Sequence, residues 1–333
     1  MHARLDVHDS LATALAKIVA EQLERLTRHE PATRAGRDSE ALHQMRVAIR
    51  RLRAAMRFFE GALPARTRGA LDDELRWLGR ALAPVRDLDV QLERFGAEGA
   101  HGEADPAHVS DDPDAHDARH AALLDALREW LGSQREAGRV AMLEVLDGER
   151  YPRLVARLER IAAGQERLLV RARGTAVAWR GADAIEKAHK RVLKQGRRVG
   201  SPARARDLHE LRIRAKRLRY VLEFVSDLSG REGRRLVKDL ADLQELLGEH
   251  QDACVAADVL RRFIESAPAA EASARAAAVA SLLAGEHHRA SEARGRFAKA
   301  WKRFTAKRAE GHLEDVLAQL RGLPAGPFPV EVH

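Results

Sequence analysis

The sequence predicts an all-α protein built from two similar helical halves, and three observations carry that prediction. The segment Ala41 to Phe59, ALHQMRVAIRRLRAAMRFF, returns 166 residues later as Leu208 to Val225, LHELRIRAKRLRYVLEFV. A second pair, LGRALAPVRDLDV and LQELLGEHQDACV, follows at an offset of 165, aligning Leu78 with Leu243, Leu82 with Leu247, Asp87 with Asp252 and Val90 with Val255. Aromatic residues are only 4% of the chain and charged residues 32%, and Ala, Leu and Val carry the apolar content, a profile of helices with no sheet. The repeat divides the chain into halves at 1–175 and 176–320, with the seam near residue 175 and 321–333 as an unstructured tail.

Taken in order, the first helix spans Leu11 to Leu26, with Leu11, Leu15, Ile18, Leu23 and Leu26 inward, and closes at Pro31 and Gly36. Asp38 or Ser39 caps the second, which Pro64 ends, and the third covers Leu71 to Phe95. Glu98 to Asp117 holds seven carboxylates, three histidines and no Lys or Arg, and reads as a mobile acidic loop. His116 and His120 stand at i,i+4 near Asp112 and Asp117, a metal-ligand spacing that reads more simply as a solvated loop entering a helix. Helices follow at Ala121 to Leu146 and Tyr151 to Arg171, and, after Gly174 and Gly181, at Ala182 to Arg198, 203–228, 231–264, 269–284 and 286–320.

The repeated segment has a second stripe beside its apolar one. Leu42, Met45, Ile49, Leu52, Met56 and Phe59 share one face, while His43, Arg46, Arg50, Arg53 and Arg57 fall within an arc of about 80° next to it. Their counterparts are His209, Arg212, Lys216, Arg219 and Glu223, so only the last position reverses sign. Solvated helices mix acids and bases at i,i+4, yet His43 to Arg57 contains five arginines and no acid. Such a stripe needs carboxylates from elsewhere or an external anion, and the second reading is preferred. Arg51 and Arg217 lie to the other side of the histidine and read as ordinary solvated charges. Lys187, Lys190, Arg191, Lys194, Arg197 and Arg198 form a third basic stripe, with His189 on the apolar side of that helix. The net charge of +8 is concentrated in these three segments, leaving the remainder of the chain acidic.

Cys254 stands alone, which excludes an internal disulfide and a multi-cysteine zinc site and reads as a small buried residue. The charge-free run Ala276 to Gly285 is ten residues long, against about 20 needed to span a bilayer. The N-terminus has acids ahead of its apolar run and no small-residue cleavage pattern, so the expectation is a cytoplasmic protein without membrane association.

The order HQMRVAIRRLR and HELRIRAKRLRY, each followed by a leucine-rich helix ending in RDLDV or HQDACV, resembles the conserved histidine α-helical domain, CHAD, over about residues 8 to 320. The resemblance implies two four-helix bundles related by a pseudo-twofold, a basic groove or pore between them, and binding of inorganic polyphosphate. Carried over by position, the binding residues are His43, Arg46, Arg50, Arg53 and Arg57 in one half and His209, Arg212, Lys216 and Arg219 in the other, with Lys190, Lys194 and Arg197 lining the same groove. Glu223 departs from the pattern. Many relatives also carry a triphosphate tunnel domain with paired glutamates on strands; this chain shows no such motif and reads as the stand-alone version, with polyphosphate granules as a candidate location.

Physically, each stripe rises about 21 Å, the scale of several phosphate units, and arginine forks suit phosphate oxygens. The expectation is a binding protein with no catalytic residues, no cofactor, no metal and no assigned protein partner. Nucleic-acid binding is the nearest rival, weakened by the few aromatics available to stack on bases; only Tyr220 follows a stripe closely. A phosphate-ester or polyphosphate-processing enzyme is the third reading. Against it, His43 and His209 lack a local ligand set and no glycine-rich phosphate loop is present.

Overall fold

A computed structural model describes residues 4–98, 113–164, 177–200 and 203–323. The described residues form ten helices and no strand: α1 Leu11–Ala35, α2 Ser39–Phe58, α3 Ala65–Glu98, α4 Pro113–Asp147, α5 Arg150–Ala162, α6 Val177–Gly196, α7 Ala205–Phe224, α8 Gly230–Glu265, α9 Ala272–Phe304 and α10 Lys307–Gly322. Ser10 caps α1 by accepting from the Thr13 N–H at 3.1 Å, and Asp38 caps α2 by accepting from Glu40 N–H at 2.9 Å. The seam near 175, most of the acidic segment and nearly all of the tail lie outside the described residues; residues 321 and 322 belong to α10.

Several boundaries differ from the sequence reading, among them that of the single helix expected over 286–320, which breaks after Phe304 into α9 and α10. α1 runs through Pro31 and ends at Ala35, where Gly36 at φ 73 closes it. Pro31 faces solvent, where the carbonyl it deprives of a partner can be hydrated, and the last turn is held from outside: Tyr151 donates to Glu30 at 2.7 Å and Arg34 to the Leu146 carbonyl at 2.9 Å. α9 continues through Gly285, where a break was expected, and stops only at Thr305. A glycine costs a helix about 1 kcal/mol, and packing against α8 along its length outweighs that. α5 ends at Ala162, short of Arg171, with Gly164 in the left-handed region at φ 67.

In the first half α1 packs on α2, α2 on α3, α3 on α5 and α5 on α1, closing a four-helix ring, while α4 pairs with α3. In the second half α6, α7, α8 and α10 make the same ring and α9 pairs with α8. The apolar stripe of α2 (Leu42, Met45, Ile49, Leu52, Met56) and that of α7 (Leu208, Leu211, Ala215, Leu218, Leu222) are both buried in one continuous core. The halves meet at two joints. At the C-terminal ends of α2 and α7, the Phe58 and Phe59 rings lie 5.6 and 6.4 Å from Phe224, and Arg180 donates to the Phe58 carbonyl at 2.9 Å. The second joint is a separate core of Phe95, Leu127 and Leu131 against Val259, Leu260 and Phe263, where the α3–α4 and α8–α9 hairpins touch. Buried Glu286 of α9 reinforces it by accepting from Arg94 Nε of α3 at 2.7 Å.

A candidate polyanion site on paired basic helices

The ring geometry places α2 beside α3, and α7 beside α8, so acids of the following helix reach each basic stripe. Asp72 of α3 accepts from Arg53 Nε at 2.9 Å and lies 3.9 Å from Arg57. Burial opposes its ionisation, but the Arg53 hydrogen bond and the charges of Arg53, Arg57 and Arg76 outweigh that and hold the carboxyl below its ordinary range. Arg46 sits 3.4 Å from Asp87, and its counterpart Arg212 sits 3.9 Å from Asp252, the repeat partner of Asp87. Arg219 donates to Glu223 at 2.7 Å on its own helix. Carboxylates from elsewhere therefore satisfy the ends and flanks of the stripes.

The centre of each stripe is different. Arg50 and Lys216 are repeat partners, and among the described residues neither forms an ion pair. They sense one another across the two halves: burial, then the charges of Arg212 and Arg50, pull the Lys216 ammonium down from 10.5 to about 8, with Asp252 opposing and Arg219 adding to the fall. His43 is likewise pushed below its ordinary value, first by burial, then by Arg86, with Arg50 and Arg46 contributing and Glu40 opposing. Burial and the neighbouring Arg50 and Arg86 also lower Arg46, against the pull of Asp87. Cations held this close with too few carboxylates constitute a site that an added anion stabilises.

Arg51 corrects the sequence reading. It is 8% exposed, not solvated, and its guanidinium stands 3.6 Å from Glu223 across the joint between halves. At the repeat-equivalent place the charge of Arg217 acts on Arg57, two like charges. Glu223, the one sign reversal in the repeat, thus turns one of two cross-half repulsions into an ion pair. Arg217 is exposed, as expected.

The third stripe is not brought to the other two. His189 lies 5.6 Å from the Phe304 ring, Gly196 abuts Trp301 of α9, and Gln195 on the opposite flank of α6 donates toward the Asp207 carbonyl of α7. Lys190, Lys194 and Arg197 occupy the remaining solvent side, and Lys190 pairs with Glu186, which Arg321 of α10 also contacts. The α7 stripe faces α8 instead, where His209 Nδ1 is 2.6 Å from Gln251 and Arg219 reaches Gln244 at 3.4 Å. α7 stands between the two surfaces.

Sequence reasoning missed Arg86, which crowds His43 from α3 and pairs with Glu93 at 3.1 Å. Its signal was present in RDLDV, where it precedes Asp87. A cleft of about 340 Å³ on another flank of α8 is lined by three acids, Asp242, Glu245 and Glu249, and three bases, Arg296, Lys299 and Arg303; walls that neutralise each other do not select a polyanion. Among the described residues no cluster of His, Cys, Asp and Glu could hold a metal, and no helix is long and apolar enough to cross a membrane.

Two four-helix rings joined at both ends, with basic helices side by side, define an all-helical class of two-bundle proteins. The CHAD domain family model matches residues 17–261, and the chain belongs to that family. It is 28% identical to the CHAD domain of the plant Ricinus communis, whose crystal structure it matches over 98% of both chains at a TM-score of 0.65. A match to PptA from Streptomyces chartreusis, at 20% identity and TM-score 0.62 over 88% of this chain and 100% of that one, shows the same fold. Uncharacterized proteins MT2285 and Rv2226 from two strains of Mycobacterium tuberculosis are each 27% identical over 256 residues, 75% of this chain. The chain spans about half the length, 45%, of these curated relatives.

Proposed function

We propose that the protein binds inorganic polyphosphate in a groove between the two bundles, along the α2 and α7 stripes, and does so without turning it over. The observation that carries this reading is Arg50 and Lys216: matching positions of the repeat, each within the field of the other across the halves, and neither in an ion pair among the described residues. A linear polyanion laid along both helices reaches them first. Arg46, Arg53 and Arg57, then Arg212 and Arg219, exchange weak or shared carboxylates for phosphate oxygens, and His43, His209 and Arg86 add donors at one end. A groove between helices admits a thin flexible chain and not a duplex about 20 Å wide. Membership of the CHAD family supplies the ligand class, and the protein would act in the cytoplasm, where such chains are stored as granules.

The test is titration of the full chain with polyphosphate, in competition with duplex DNA, single-stranded RNA and ATP over a salt series. Arg50→Glu with Lys216→Glu removes two charge-assisted hydrogen bonds of about 1.5 kcal/mol each, predicting a loss of about 100-fold. Arg28→Glu with Arg153→Glu makes the same charge change at exposed positions whose ion pairs lie on single helices, and should cost little. Equal losses in both variants would mean a diffuse polycation; DNA binding as tight as polyphosphate at moderate salt would favour nucleic acid. Orthophosphate release from polyphosphate, lost in His43→Ala, would overturn binding without turnover.

A further inference from the structure

We infer that the solvent face of α6 is a second polyphosphate-binding surface, separate from the α2 and α7 stripes, which takes up a further segment of a long chain. The inference rests on the ligand reading above. Lys187, Arg191, Lys194, Arg197 and Arg198 are all exposed, and among the described residues none forms an ion pair. Lys187, Arg191 and Lys194 extend over about 10 Å of helix, and Arg197 and Arg198 continue the row in the turn after Gly196.

The first half supplies an internal control. α1 holds the same place in its ring that α6 holds in the other, each packed on the basic helix and on the short last helix of its half. Yet α1 carries the ordinary charge pattern of a solvated helix, with Glu21 and Arg25, Glu24 and Arg28, and Glu30 and Arg34 paired at i,i+4. The fold therefore does not require unpaired cations at this position. The charge on α6 belongs to one half only; Glu186 pairs with Lys190, and the mutual repulsion of the five remaining cations is relieved by a multivalent anion.

The two surfaces are one helix apart. α7 separates them by about 10 Å, and exposed Arg217, beside Arg57 at the stripe, stands on its outer face. A short chain is consumed by the stripes. A long one can cross α7 and engage α6 as an intramolecular second event, so chain length becomes the selected property.

The test uses Lys187→Gln, Arg191→Gln and Arg198→Gln together, in the full-length protein, against an oligophosphate of about 10 units and a chain of about 100 units. The triple variant should hold the short chain as tightly as the wild type and the long chain about tenfold more weakly. Its salt slope for the long chain should fall by about 2, near 0.7 for each lost phosphate contact. Unchanged affinity for both lengths, or equal losses for both, would refute a separate surface. Loss of duplex DNA binding with long polyphosphate unaffected would also refute it, making the ligand a nucleic acid. If short chains still bind Arg50→Glu with Lys216→Glu while the triple variant loses only long ones, the α6 surface stands and the stripe reading fails.

Discussion

Lys216 should make ligand binding take up a proton. Its ammonium, crowded by Arg212 and Arg219 on α7 and Arg50 on α2 and only partly offset by Asp252 on α8, titrates at about 8 in the free protein. A phosphate chain placed against it favours the charged form and returns its pKa toward 10.5. At pH 7 the free group is about 90% protonated and at pH 9 about 10%, so binding at pH 9 must take up about 0.9 proton per protein. Reprotonation costs 1.36 kcal/mol per pH unit above 8, and polyphosphate affinity should fall about tenfold from pH 7 to pH 9. Calorimetry at pH 9 in buffers of different ionisation enthalpy reads the proton directly, and titrations at both pH values read the affinity. Lys216→Arg should bind at both pH values with nearly equal affinity and no proton uptake, because a guanidinium stays charged. A wild-type affinity that does not change with pH, or the same fall in Lys216→Arg, would refute the placement of Lys216 in the site.

Other outcomes follow from the same structure. Because the folded-state pKa of Lys216 lies below its unfolded value, the charged form costs stability below pH 8, and the penalty is relieved as pH rises from 8 to 10.5. Lys216→Met should therefore stabilise the protein by on the order of 1–3 kcal/mol at pH 7 and by much less at pH 10.5, read by denaturant unfolding. Arg51→Glu places an acid against Glu223 at the buried joint and should cost about 2–4 kcal/mol; a cost below 0.5 kcal/mol would show that the ion pair does not hold the halves together. Gly196→Ala sets a methyl 2.0 Å from the Trp301 ring, which is itself held between Phe297 and Phe304. The overpacking should cost about 1–3 kcal/mol in the same assay, and an unchanged midpoint would show that Trp301 can move aside.

The amino-acid sequence alone determined the helices and the faces they bury. Hydrophobic periodicity is a local property: the stripe from Leu42 to Met56 reaches the core in the structure as it reads in the chain, and so does that from Leu208 to Leu222. The basic stripes were legible for the same reason, since 100° per residue fixes which side chains share a face. Charge balance was not legible. Asp72, Asp87 and Asp252 lie on other helices and meet Arg53, Arg46 and Arg212 only because the bundle sets α3 beside α2 and α8 beside α7. Nor does a positive charge encode its direction: Lys190, Lys194 and Arg197 have the same sign as the stripes but lie on the solvent side of α6, because that helix spends its other flanks on α7 and α10. Arg51 looked solvated on an isolated helix and is buried because a second half packs over it, and α9 runs through Gly285 because α8 supports it. In each case the deciding energy comes from a neighbour distant in the chain, a term that local spacing does not contain and only the packed bundles supply.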